Sequence, residues 1–134
     1  MSMSNAYLDT LRESIKAGQK ASHGAAAVAG AYYSSTRHGF DVIIWSDVMW
    51  EDDVEDIVKT LRAAGINELY ITSQASNMLG IYLMLDELGM KLRGVVRLEN
   101  PEYEQDVEKW GYSYEAPTIP AMKLSFEDKG VTTV

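Results

Sequence analysis

Apolar residues recur along this chain first at helical spacing and later in short β-branched runs. Tyr7, Leu8, Leu11 and Ile15 fall on one helical face, which predicts a first helix stopped at Gly18. A second helix is predicted over 19–37, dense in small residues from Ala21 and Gly24 to Gly30 and Ala31, and closed by Gly39. Small side chains let another element approach a helix backbone closely, so this helix is expected to pack on a sheet. The same Ala/Gly-rich stripe also offers a seam for a homo-oligomer.

Residues 40–45, FDVIIW, then read as a buried strand. Val54, Ile57, Val58 and Leu61 return to helical spacing, with Gly65 as the stop. Residues 69–72 make a second strand. Met78, Ile81, Tyr82, Leu85 and Leu88 mark a helix ending at Gly89. Leu79, Leu83 and Met84 make it apolar nearly all round, which predicts deep burial. A third strand follows at 92–98, and then a loop-like stretch with Pro101, Gly111, Pro117 and Pro120. Residues 121–126 form the last strand, and 127–134 a tail expected to fray.

The expected fold is α/β, a single domain over 1–134 with a helical N-terminal part at 1–39. Two N-terminal helices precede a βαβαβ run and a final antiparallel edge strand. The result is a small mixed sheet of about four strands covered by helices. With 46% hydrophobic residues in 134, the chain has the material for a core. No apolar run approaches the roughly 18 residues needed to span a bilayer. Asp9, Thr10 and Arg12 interrupt the first apolar positions, so no signal peptide or membrane association is expected and the expected compartment is the cytoplasm. The absence of cysteine removes disulfides, thiolate metal sites and a cysteine nucleophile.

Charge then narrows the function. The net charge is −8; residues 1–40 carry Arg12, Lys16, Lys20 and Arg37 against Asp9 and Glu13, so the rest of the chain holds the acidity. Direct nucleic-acid binding through a phosphate-neutralising surface is not expected. A basic protein surface is the expected partner, with ordinary solubility as the alternative meaning of the acidity. One acidic run holds Asp47, Glu51, Asp52, Asp53, Glu55 and Asp56 beside Met49 and Trp50, both expected to be exposed. A helix start accounts for Glu51 to Asp53 without a function. The other run holds Glu99, Glu102, Glu104, Asp106 and Glu108 among Tyr103, Trp110, Tyr112 and Tyr114. Acids supply charge matching and aromatics supply anchor area, so both runs are candidate partner surfaces. Neither matches a metal-ligand spacing, and no metal or other cofactor is expected. His23 and His38, fifteen apart, form no recognisable pair.

Ligands of α/β sheets collect beyond the carboxyl ends of the strands. Here that edge is Ser46, Asp47, Met49 and Trp50 after the first strand, Ser73, Gln74, Ser76 and Asn77 after the second, and Glu99 and Asn100 after the third. Ser73 or Ser76 is expected to cap the helix that follows. A polar pocket at this edge walled by Trp50 would mark a small-molecule site.

The segment ELYITSQASN, the helix with Tyr82, LGMKLRG and AMKLSF resemble the second half of GNAT acyltransferases. The resemblance implies an acetyl-CoA-holding strand–helix–strand unit aided by Asn77 and Tyr82. That family cradles pyrophosphate in a glycine-bearing loop; the loop here, SDVMWEDD, has no glycine and carboxylates that repel phosphate. The stretch NAYLDTLRESIKAGQKASHGAAAVAGAYYSS, with DVIIWSD and IPAMKLSF, resembles small Firmicutes proteins of no assigned role, often carried by mobile elements or phages. That resemblance implies an accessory protein and transfers no catalytic residue. The expectation is a non-catalytic acidic binding protein of a mobile element or phage, with anti-defence inhibition of the anti-CRISPR or DNA-mimic kind as its candidate role. It would act through Asp47, Trp50, Glu51, Asp52, Asp53 and Asp56, together with Glu102, Tyr103, Glu104 and Trp110. The alternative is a small-molecule binder or degenerate GNAT-like acyltransferase on the strand-end edge.

Overall fold

Asn5 opens the first helix. Its Oδ1 accepts the Leu8 N–H at 2.9 Å, and α1 (Ala6–Lys16) runs on from that cap. The computed structural model describes residues 3–127, so the expected fraying tail lies outside the described residues apart from Glu127. The second helix starts later than its composition suggested. Ser22 accepts the Ala25 N–H at 3.1 Å and so sets the start of α2 (His23–Arg37).

The first strand is shorter than its apolar run. Only β1 (Ile44–Trp45) pairs regularly, parallel to β2 (Glu68–Ile71). On its other side the Ser35 hydroxyl of α2 accepts the Ile44 N–H at 2.9 Å. A side chain thus occupies part of an edge that a neighbouring strand would otherwise pair with. A 3-10 turn, Glu51–Asp53, leads into α3 (Val54–Ala63), which carries the acidic first turn expected of it. Then come α4 (Met78–Glu87), β3 (Met90–Glu99), α5 (Pro101–Trp110) and β4 (Thr118–Phe126).

The four-stranded mixed sheet is ordered β1-β2-β4-β3. As expected, β4 runs antiparallel beside β3, but it is not an edge strand. It lies between β2 and β3, antiparallel to both. The β2–α4–β3 crossover leaves a gap one strand wide, and the chain returns to fill it. Leu124 is fully buried, as a central position requires. Pro120, which cannot donate to a ladder, pairs only with Arg97 of β3, because β2 reaches no further along β4 than Met122.

The stretch expected to be a loop contains α5. Asn100 Oδ1 accepts the Glu102 N–H, Pro101 occupies the first turn, and Gly111 ends the helix at φ 82°. These are ordinary helix boundary signals. The weak apolar periodicity had hidden them, since α5 buries none of its residues fully.

Leu8, Val28, Tyr32, Ile57 and Leu61 from the helices close over Leu69, Ile71 and Leu124 of the sheet. The small residues of α2 bring it against α3 more closely than against the sheet. A Cβ built on Gly24 would lie 2.7 Å from Asp56 Cβ and 2.8 Å from the Asp53 carbonyl oxygen. The expectation that α4 is buried all round is corrected: Leu79 is 80% exposed and Leu83 69%. Only one side of α4 packs on the core, through Met78, Ile81 and Leu85.

Candidate functional site

As α2 leaves its contact with α3, its small side chains leave room in front of them. The chain emerging from β1 passes across that space toward the 3-10 turn. The result is a cavity of about 560 Å³. Its floor is Ala27, Gly30, Ala31 and Ser34 of α2. Opposite stand Ile44, Ser46, Asp47 and the Trp50 ring, and His23 and Asp53 also line it. Trp50 is 57% exposed, so it forms a rim rather than part of the core. Among the described residues no lysine or arginine lines the cavity.

His23 Nδ1 lies 2.6 Å from Asp53 Oδ2. The Asp53 side chain is almost buried while that of His23 is mostly open to solvent. A carboxylate at Nδ1 sets the imidazole tautomer and leaves Nε2 free to accept a hydrogen bond or a proton. Asp53 therefore does not belong to a free acidic surface, as the acidic run had suggested; it is engaged within the site. His23 is a site residue that sequence reasoning passed over. Thirty positions separate it from Asp53, so no local spacing signals the pair.

The two proposed partner surfaces fare differently. Glu51, Asp52 and Glu55 are exposed beside Trp50, Asp56 is half-buried under Gly24, and Met49 is fully buried, contrary to expectation. Asn77 Nδ2 donates to the Met49 carbonyl at 2.8 Å, and also to Glu51 at 3.0 Å, tying the 46–53 segment to the start of α4. On α5, Glu102 and Glu104 are exposed, Tyr103 is half-buried and Trp110 is exposed. Glu102 lies 3.9 Å from His38 Nε2 at the far end of α2.

The strand-end edge is only partly assembled. Ser46 and Asp47 face the cavity with Trp50 as its wall. Ser73, Gln74, Asn77 and Asn100 do not line it. Asn77 is the brace just described. Asn100 is buried as the cap of α5, with Nδ2 donating to the Ala116 carbonyl at 2.9 Å. Nor does a serine side chain cap α4: Asn77 stands at its cap without a side-chain bond to the helix N–H groups, and Ser73 Oγ accepts the nearby Ala75 N–H. Tyr82 does not line the cavity either, and burial raises its pKa.

Among the described residues, two buried side-chain polar atoms have no partner, Trp45 Nε1 and Asn77 Oδ1. Trp45 lines the cavity and is 4% exposed. No group of three or more described histidine or acidic side chains is placed to hold a metal ion, and no described helix is long and apolar enough to cross a membrane.

A family described as Domain of unknown function (DUF7698) matches residues 27–126. The chain belongs to that family. No curated protein and no solved structure matches it. The family's span takes in the cavity floor, Asp47, Trp50, Asp53 and Glu102, and begins just after His23.

Proposed function

We propose that this protein is a non-catalytic recognition protein for a basic protein surface. One observation carries the reading. The cleft in front of α2 is lined by carboxylates and an exposed tryptophan, with no lysine or arginine lining it among the described residues. Glu51, Asp52 and Glu55 extend the same sign of charge around its rim. Such a surface attracts cations and repels phosphate, and an exposed indole adds cation–π attraction for ammonium or guanidinium groups. The likeness to accessory proteins of mobile elements and phages suggests the kind of partner: a cytoplasmic nucleic-acid-handling protein, such as a defence nuclease, whose basic face this chain would cover.

The test is affinity capture at low and at moderate salt, using the wild type and a variant with Glu51, Asp52 and Glu55 changed to Lys. The reading expects a basic protein held by the wild type, released as salt rises and not held by the variant. Equal retention by both baits would overturn it.

A second reading follows from the cavity's size, which falls in the range of small-molecule sites. A small organic cation held between Asp47 and Trp50 would raise the melting temperature of the wild type but not of Trp50→Ala.

A further inference from the structure

The main cavity does not end at Ser34. A second cavity of about 220 Å³ is also lined by Ser34, Ile44 and Ser46 and carries the space onward to His38, Phe40 and Glu102. The two share those three residues, so one trough follows α2 from His23 to His38. Each part carries a carboxylate: Asp47, next to the shared Ser46, with Trp50 and Asp53 in the first, and Glu102 in the second. The floor between them is alanine, glycine and serine. Among the described residues no lysine or arginine lines either part.

We infer that this trough binds one extended segment of a basic partner, with a cationic side chain seated in each part and small residues between. The inference rests on the proposed acidic-recognition reading and gives it a binding mode. Charge complementarity selects the occupant. A cation in the first part meets Asp47 and the face of Trp50, and a cation in the second meets Glu102. A shallow floor without large side chains admits a peptide backbone but leaves no deep pocket for a bulky residue. The Trp45 indole lines the trough and is nearly buried.

The geometry sets a spacing. From His23 to His38 the helix rises about 22 Å at roughly 1.5 Å per residue. An extended chain advances roughly 3.3 Å per residue, so two cations seated within the trough stand no more than about six to seven residues apart.

The experiment titrates the protein with an acetylated, amidated peptide that has arginines about six positions apart and alanine and serine between them. Binding is read by calorimetry and by Trp fluorescence. The comparison peptide has the same composition with the arginines adjacent. Asp47→Asn, Glu102→Gln and Trp50→Ala, each checked for an unchanged circular dichroism spectrum, should each weaken the spaced peptide roughly tenfold. The adjacent-arginine peptide should bind more weakly and be indifferent to Glu102→Gln.

Equal affinity for both peptides would overturn the inference. So would free arginine amide binding as tightly as the peptide, which would mark a small-cation site instead. If oligolysine binds and loses affinity on rim charge reversal while the three trough variants behave as wild type, the trough is wrong and the acidic-surface reading stands. If no basic peptide binds the wild type at low salt, both fall.

Discussion

Gly24 and Gly30 lie on the same helix, six residues apart, and the structure predicts opposite signs for the same substitution. A Cβ at Gly24 meets Asp56 Cβ at 2.7 Å, the Asp53 carbonyl oxygen at 2.8 Å and the Ile57 nitrogen at 3.2 Å. Two of those atoms are backbone, so α2 must move away from α3. Such overpacking costs about 2–3 kcal/mol here, the upper part of the usual range, because backbone atoms cannot rotate out of the way. Against it stands the better helix propensity of alanine, about 1 kcal/mol. Gly24→Ala should therefore lose about 1–2 kcal/mol. At Gly30 a Cβ meets nothing within 4 Å, so only propensity acts and Gly30→Ala should gain about 0.5–1 kcal/mol. Urea unfolding followed by circular dichroism measures both. With a slope of about 2 kcal/mol per molar urea, the two midpoints should differ by about 1 M. A Gly24→Ala protein as stable as wild type, or a destabilised Gly30→Ala protein, would refute the account of how α2 and α3 meet. The same displacement at Gly24 should also pull His23 from Asp53, since both flank the contact.

Two further tests follow from buried or bridging polar groups. Tyr70 donates to Glu68 at 3.0 Å, and burial first, then that bond, pushes its pKa from 10.0 to about 12. The folded state keeps this proton where the unfolded chain loses it. The contribution is thus complete below pH 10 and is lost as pH rises toward 12, by about 1.4 kcal/mol per pH unit. Tyr70→Phe should flatten that loss between about pH 10 and about pH 12 in urea titrations; an unchanged slope would count against the assignment. Asn77→Ala removes the donors to the Met49 carbonyl and Glu51. It should cost about 1–2 kcal/mol and speed amide exchange across 46–53. Exchange as slow as in wild type would mean that the brace does not hold the cavity's wall.

Some of the site was legible from residue type. Asp47 and Trp50 were singled out both as a partner surface and as part of the strand-end edge, and they line the cavity. Asp53 was assigned to an open acidic face because its neighbours are acidic, yet it is nearly buried against His23. Met49 was expected outside because it borders charged residues, but its side chain is fully buried, in a segment that Asn77, 28 residues on, braces through the Met49 carbonyl. The α4 leucines illustrate the opposite error. Apolar residues on every face suggested full burial, while Met78, Ile81 and Leu85 are buried and Leu79 and Leu83 face outward.

What the sequence by itself determined is local. Helical spacing in α1 and α3 and β-branched runs at β1 and β2 are properties of a few consecutive residues, because backbone preference and side-chain direction repeat over a few positions. The cap signals of α5 were equally local, in Asn100, Pro101 and Gly111, though the weak apolar pattern concealed them. Sign of charge and lack of cysteine were likewise readable directly. Tertiary structure alone decided that β4 enters between β2 and β3, that Gly24 carries the approach of α3, and that His23 meets Asp53. It also decided that Asp47 and Glu102 line adjoining cavities along α2. Each depends on which distant segments pack together, a choice made by filling space and pairing backbone across the whole chain rather than by the neighbours of any one residue.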